Sequence, residues 1–201
     1  MNTAEHILNF WFGDEFVDGF PLHSREALWF QSNRATDQKI KAGFATDVQR
    51  AAKGQLDHWQ ATPQGRLALI ILLDQFPRNI YRGTPHAFAY DSLACDFCKE
   101  GIELGHDAQL RPVERIFYYL PLEHRENLAI QELSVSLMQA MLDNAIPSQQ
   151  AKIQGFLGYA QSHHDIIDRF GRFPHRNSIL GRDSTVAEIE FMKSGPTFGQ
   201  G

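Results

Sequence analysis

Residues 67–79 read LALIILLDQFPRN, an apolar run that ends in a polar corner, and a second corner of the same kind follows about a hundred residues later. The first motif is QFPRNIYRG at residues 75–83, and the second motif is RFPHRNSILGR at residues 172–182. Each contains Phe-Pro, then Arg-Asn, then another Arg beside a Gly. Because Pro after an apolar run predicts a helix end, we expect two helix-ending corners rich in Arg, Asn and His. Such corners either bind a ligand or tie helices together.

Start and stop signals predict helices along the whole chain. Thr3 and Thr185 suit helix N-caps, and Pro follows Thr at residues 62–63 and 84–85, where it suits the first helical turn. Further helices are predicted at about 24–31, 33–53, 63–76, 85–104, 122–143, 147–169 and 185–193, with a short one from Pro112 that Pro121 interrupts. No alternating strand pattern stands out, and we predict no β-hairpin.

These signals predict an all-α fold. We expect seven to nine helices packed as antiparallel pairs, in the manner of a bundle or an α-solenoid. A single domain is predicted over residues 1–195, followed by a flexible C-terminal tail over residues 196–201.

Composition narrows the class of protein. The chain has 201 residues, 43% of them hydrophobic, and a net charge of −5, so it can bury one sizeable core and has no basic excess for nucleic acid. The N-terminal residues lack a signal-peptide pattern, and the apolar run is too short to span a bilayer. Cys95 and Cys98 fall within a predicted helix and are interpreted as ordinary thiols. We expect a cytoplasmic protein that binds neither nucleic acid nor membrane.

The residues around the second motif are dense in His and Arg. His164 and Asp168 lie four residues apart and share a helix face, which fits a salt-bridged turn, a metal pair or a His–Asp general base. A His-Asp dipeptide, as at His164-Asp165, also occurs in helical metal-dependent phosphohydrolases, but metal binding there needs further ligands such as His124 or Asp91. We predict no metal site.

Charge density around the second motif indicates an anionic ligand. Four Arg and three His fall between residues 163 and 182 of a chain that is negative overall, and like charges so close need acids or a bound anion to balance them. Arg182 also precedes a predicted helix start, and helix N-termini bind anions. We expect an anionic or phosphorylated small molecule, held in part by Arg176 and Arg182.

The first motif admits two interpretations. Asp74 closes a very apolar helix and needs a partner if it is buried, which Arg78 or Arg82 can supply. In a structural interpretation, the motif is a helix stop with a buried Asp–Arg pair. In a functional one, Arg78 and Arg82 form an anion site with the Tyr81 hydroxyl. A third segment, RIFYYLPLEH at residues 115–124, is either core packing or an aromatic wall with Glu123 and His124 at its rim.

Candidate site residues follow from these patterns, although the sequence leaves open whether the protein is an enzyme and does not predict its cofactors or oligomeric state. The catalytic candidates are His124, His164 and His175. The ligand-binding candidates are Asp74, Arg78, Asn79, Arg82, Arg115, Tyr119, Arg172, Arg176, Asn177 and Arg182.

Four stretches, in order, resemble the bacterial family called domain of unknown function 924. They are ILLDQFPRNIYRG, AFAYDSLA, RIFYYLPLEH and HHDIIDRFGRFPHRNSILGRDSTVAEIEF. The resemblance implies an all-helical fold of the tetratricopeptide-like superfamily and no established activity. Arg125 follows His124 where that family usually has Ser. The superfamily suggests an alternative function, a scaffold for proteins or peptides in which the Arg, Asp and His motifs are structural braces.

Overall fold

The computed structural model describes residues 2–199, most of which are helical. The α-helices are α1 (Ala4–Phe12), α2 (Glu26–Phe30), α3 (Arg34–Ala52), α4 (Pro63–Ile70), α5 (Phe76–Ile80), α6 (Asp91–Glu103), α7 (Pro112–Glu123), α8 (Leu128–Asp143), α9 (Pro147–Phe170) and α10 (Val186–Phe191). Short 3-10 turns occur at Asp57–Ala61, Pro85–Phe88, Asp107–Gln109 and Pro174–Arg176. The prediction of an all-α, single-domain fold is confirmed.

A small hairpin corrects one prediction. Strands β1 (Phe16–Val17) and β2 (Phe20–Pro21) pair in antiparallel fashion, although we predicted no hairpin. The turn between them is Asp18-Gly19, with φ angles of 50° and 78°. Asp and Gly are the residues that tolerate such angles in a two-residue turn, so the signal was present in the sequence.

The apolar run forms the central helix of the molecule. Helix α4 continues into α5 through a π-helical segment, Ile71–Gln75, without a break. Residues 65–80 are buried on every side except at Arg78, which is partly exposed. Helices α1 and α6 pack against α4, α3 packs against α5, and α7 packs against α4 and the π segment. When α4, the π segment and α5 are counted as one helix, residues 2–199 contain nine helices.

Pro77 does not end this helix, contrary to our prediction. The turn before it is π-helical, and the Phe76 N–H donates to the Ile71 carbonyl five residues back. A widened turn of this kind accommodates the missing N–H and the ring of the proline. Pro121 is likewise enclosed in α7, which ends two residues later at Glu123. The helix predicted at 122–143 therefore begins only at Leu128, where the Asn127 side chain accepts from Ile130 N as an N-cap.

The C-terminal half packs against the central helix through α7. Helices α8 and α9 are joined by only three residues, 144–146, and pack along each other, so they run in opposite directions. Helix α7 contacts both. Beyond α10, Phe198 lies against the ring of His163, with 3.9 Å between ring centroids. Residues 200 and 201 of the predicted tail lie outside the described residues. Within residues 2–199, no helix is both long enough and apolar enough to cross a membrane.

Candidate functional site

The two motifs meet at one cavity of about 240 Å³. The first motif approaches it from α5 and the second from the 3-10 turn at Pro174–Arg176. Helices α7 and α9 form the facing walls. The residues of the two motifs that line the cavity are Gln75, Arg78, Asn79, Arg82, His175 and Arg176. The structure therefore brings together residues about a hundred positions apart in the chain.

Asp91, the first residue of α6, is shared by both motifs. Its Oδ1 accepts from Arg78 Nη1 at 2.9 Å, and its Oδ2 accepts from Arg78 Nη2 at 3.0 Å. The same Oδ2 lies 3.4 Å from Arg176 Nη1. Asp91 and Arg176 are buried, and Arg78 is nearly so. One carboxylate thus joins the two corners. Its contact with Arg78 is the closer one, with two hydrogen bonds near 3 Å.

Asp74 forms a second buried contact, with His124, which lines the cavity. Asp74 is fully buried, and its Oδ1 lies 2.6 Å from His124 Nδ1 and 3.1 Å from Arg78 Nη1. Burial opposes ionisation of Asp74, but Arg78, His124 and Gln75 outweigh burial and lower its pKa to about 2. Because an ionised carboxylate only accepts hydrogen bonds, Nδ1 of His124 carries a proton and donates the hydrogen bond to Asp74.

His124 is neutral near pH 7. Burial and the charge of Arg78 lower the pKa of His124, although Asp74 opposes them. With its proton on Nδ1, the imidazole has a free lone pair on Nε2, and the residue lines the cavity. A carboxylate that fixes the tautomer and orientation of a histidine is the arrangement of general-base histidines.

A second group of proton-carrying side chains lies beside His124. His163 Nδ1 donates to the Tyr159 carbonyl at 2.8 Å, and burial lowers the pKa of His163 to about 3. Glu123 Oε2 lies 3.6 Å from the same nitrogen. Burial and the nearby charge of Asp74 raise the pKa of Glu123 well above its usual range. Glu123 is therefore a neutral carboxylic acid, and its buried Oε1 has no hydrogen-bond partner among residues 2–199.

Arg176 is the least neutralised cation of the cavity. Burial and the nearby charge of Arg78 lower its pKa to about 10, although Asp91 opposes them. Nη1 donates to the His124 carbonyl at 3.1 Å, whereas buried Nε lacks a partner in the described part of the chain. The guanidinium lies 4.6 Å from the ring centroid of Phe88 and 4.5 Å from that of Phe173. An added anion would find in Arg176 a charge that the protein leaves partly uncompensated.

Aromatic side chains form the rest of the wall. Phe156, Tyr159 and His163 are spaced by three and four residues on α9 and so share one face of that helix. Phe30 packs against Phe156 and Tyr159, with ring centroids 5.9 Å and 6.4 Å apart. The lining also includes Trp29, Phe88, Leu120 and Phe198. The cavity therefore has a polar part made by the motifs and an apolar part made by α2 and α9.

Several predicted site residues lie elsewhere. Tyr119 donates to Asp107 and accepts from Arg115 Nε at 2.7 Å, in a separate cluster between α7 and the 3-10 turn at Asp107–Gln109. His164 is partly exposed on α9 beside Asp165, 3.2 Å away. His175, in contrast, does line the cavity, and burial, with the neighbouring charge of Arg176, lowers its pKa to about 3.

The remaining residues of the second motif brace the C-terminal segment. Arg172 makes a two-point contact with Glu188 of α10, at 2.6 Å and 2.9 Å. Arg182 makes another with Glu126, at 2.7 Å and 2.9 Å, and its Nε donates to Asn177 Oδ1 at 3.0 Å. Arg182, predicted to hold the anion, is thus already paired and does not line the cavity.

Sequence reasoning missed most of the aromatic wall. Trp29, Phe30, Phe156, Tyr159 and Phe198 were not among the candidates, and neither was His163, although it was noted in the dense cluster. The helical spacing of Phe156, Tyr159 and His163 was the available signal. Glu123 was considered for the rim of an aromatic wall, and the structure buries it. Among residues 2–199, no group of three or more His, Cys, Asp or Glu is arranged to hold a metal ion.

Comparison with known proteins places the chain among relatives whose function is not known. The model of a family described as bacterial protein of unknown function (DUF924) matches residues 7–196. The chain belongs to this family. The resemblance to this family, which was based on four sequence stretches, is confirmed. A solved structure entitled protein of unknown function ATU0120, from Agrobacterium tumefaciens, is 36% identical, with a TM-score of 0.79 over 96% of this chain and 97% of that one. No curated protein matches the chain significantly.

We predict that the shared carboxylate makes Arg78 a major contributor to stability. Arg78→Ala would leave Asp74 and Asp91 buried without their main cation, and removing one partner of a buried pair costs about 3–5 kcal/mol. Urea denaturation would measure the loss in free energy of unfolding. Lys193→Ala is the control, because the Lys193–Glu190 pair has side chains 66% and 71% exposed and contributes no more than about 1 kcal/mol. An Arg78→Ala variant as stable as the wild type would contradict the prediction.

We also predict that burial of His175 makes stability depend on pH. Its pKa is about 3 in the fold and about 6.5 in the unfolded chain, so the unfolded chain binds the extra proton. Stability from His175 is complete above pH 6.5 and is lost as pH falls towards 3, by up to about 1.4 kcal/mol per pH unit. Glu123, whose pKa is raised by burial, changes stability with pH in the opposite direction. The contribution of His175 is therefore measured as a difference between variants.

The test compares unfolding free energies at pH 7, 6 and 5 for the wild type, His175→Gln and His164→Gln. The slope with pH should decrease by up to about 1.4 kcal/mol per pH unit in His175→Gln. His164→Gln is the control, since that ring is not enclosed. Equal slopes for the wild type and His175→Gln would show that His175 is not held neutral by burial.

Proposed function

We propose that the protein is an enzyme that binds a small organic anion in this cavity and transfers a proton on it, with His124 as general base. The observation that carries the proposal is that Arg176 and His124, whose imidazole contacts buried Asp74, line the same cavity. Asp74 would fix the imidazole so that Nε2 accepts the proton. Arg176 would hold the anionic group.

Charge balance supports a singly charged ligand rather than a phosphorylated one. The three arginines of the cavity wall already contact three aspartates: Arg78 contacts Asp74 and Asp91, Arg176 contacts Asp91, and Arg82 contacts Asp37. A phosphate monoester carries about −1.5 to −2 at pH 7. A carboxylate adds one charge, which the partly compensated Arg176 can match with its planar fork.

Glu123 would complete the proton transfer in this proposal, since it lines the cavity together with His124. Burial and the charge of Asp74 raise the pKa of Glu123 well above its usual range, which favours the protonated carboxyl group. A neutral acid close to a neutral base allows one group to take a proton while another gives one.

We also propose a reducing, cytoplasmic location for the protein. Cys95 and Cys98 are buried and unpaired, as is usual in such a compartment.

Binding of small carboxylates provides the first test. Calorimetry or ligand-observed NMR with a panel of small carboxylates and phosphate monoesters should find carboxylates bound more tightly. Arg176→Lys, which keeps the charge but loses the fork, should weaken carboxylate binding at least about tenfold, the equivalent of 1.4 kcal/mol. Arg172→Lys is the matched control, because Arg172 belongs to the same motif but pairs with Glu188 outside the cavity. Equal affinities of wild type and Arg176→Lys would refute the assigned role of Arg176.

The role of His124 needs a separate readout. With the tightest binder of the panel, solvent-deuterium exchange or turnover followed by NMR should fall about 10²–10⁴-fold in His124→Asn, while the affinity changes little. His164→Asn should behave as the wild type. If His124→Asn retained full turnover, the base would have to be another residue.

An alternative is that the protein is a tetratricopeptide-like scaffold for a peptide. A second groove of about 640 Å³ is favourable to this function, because it includes the exposed side chains of Leu22, Phe30 and Tyr159. In that case Tyr159→Glu should abolish binding of peptides selected from a random library, with no change in unfolding free energy. A library that yields no peptide binding through this groove would count against the scaffold.

A further inference from the structure

The cavity and the second groove adjoin and share part of their lining, and we call the two together the channel. We call the first, of about 240 Å³, the inner chamber, and the second, of about 640 Å³, the outer groove. Both are lined by the same five residues: Trp29, Phe30, Gln31, Phe156 and Tyr159. The inner chamber and the outer groove therefore meet at these five side chains.

Polarity changes along this channel from inside to outside. At the inner end, His163 and Arg176 are each 6% exposed. At the shared boundary, Phe30 is 49% exposed and Tyr159 57% exposed, and their rings are stacked at an interplanar angle of 15°. The mouth of the inner chamber is therefore aromatic and its deep end is charged. This distribution matches an amphipathic molecule with its anionic group at the deep end and its apolar part towards the mouth.

The outer groove continues the apolar surface. Its lining adds Phe20, Pro21, Leu22, Ala151 and Gly155 to the shared aromatic residues, with Ser24, Arg25, Glu26 and Lys152 as the polar members. Lys152 Nζ lies 4.7 Å from the ring centroid of Phe20, so this cation is placed over an aromatic face. The outer groove can bury a chain of CH₂ groups but offers no buried charge for a second anionic group.

We propose that the ligand is an elongated amphipathic monocarboxylate, with its carboxylate at Arg176 in the inner chamber and its hydrocarbon chain passing Phe30 and Tyr159 into the outer groove. The inference rests on the proposed function and specifies its substrate class. The inner chamber alone is smaller than the about 300–1,000 Å³ of typical ligand pockets. The channel as a whole falls within that range, which is consistent with a ligand longer than the inner chamber.

Two glycines of α9 allow a matched test. Gly155 lines the outer groove, and a Cβ built on it would meet no atom within 4 Å. Gly158 is one turn further on, is exposed, and also has open space at its Cβ. A Leu at either position suits a helix better than Gly. Only the Leu at position 155 would occupy the outer groove.

The experiment measures affinities of straight-chain monocarboxylates from acetate to decanoate by calorimetry, at concentrations below micelle formation. It uses the wild type, Gly155→Leu, Gly158→Leu and Arg176→Lys. In the wild type, affinity should rise with chain length by up to about fourfold per CH₂ group. Gly155→Leu should abolish the rise for the longer acids and leave the shortest unaffected, and Gly158→Leu should match the wild type.

The outcomes separate this inference from the proposed function. If short acids bind in an Arg176-dependent manner but longer acids bind no more tightly, the inference is wrong and the proposed function stands. If no acid of any length binds, both fail. Long acids whose affinity does not change in Gly155→Leu or Arg176→Lys would also overturn the inference, since the chain and carboxylate would then lie elsewhere.

Discussion

The arrangement of the site depends on one buried carboxylate, Asp91. Two guanidinium groups from distant parts of the chain reach it, Arg78 from the first motif and Arg176 from the second. A buried charge without a partner is costly, so the fold is held to the geometry in which α5, α6 and the second motif converge. The same sharing leaves Arg176 incompletely neutralised. The contact that holds the corners together thus also leaves a buried positive charge at the cavity.

Two other buried groups follow from this convergence. His124 is fixed by Asp74, which in turn contacts Arg78. Glu123, the residue before His124, is kept neutral by burial and by the charge of Asp74. Burial thus shifts the pKa values of two consecutive residues in opposite directions, upwards for Glu123 at the end of α7 and downwards for His124 after it. Their environments, and not their residue types alone, set these protonation states.

Local patterns predicted the helices well because caps, prolines and apolar runs act over a few residues. Thr185 and Glu188 form the expected capping box, and α3 and α9 lie within two residues of their predicted bounds. The predictions that Pro77 ends a helix and that Pro121 interrupts one were wrong. The helix tolerates Pro77 because of a π turn that no sequence pattern predicts. Local patterns also could not predict which site residues contact one another, because those residues are far apart in the sequence. Asp74 and His124 are fifty positions apart, and nothing in the sequence distinguishes Arg176, which lines the cavity, from Arg172 and Arg182, which do not.

The π turn before Pro77 determines how the first motif is used. An α-helix advances about 100° per residue, and a π turn contains one residue more, so every side chain after it is rotated by about that angle. In this setting Arg78 faces α6 and contacts Asp91, whereas Asn79 and Arg82 contact Asp37 of α3. A single offset in backbone register therefore lets one short segment join α3 on one side and α6 on the other.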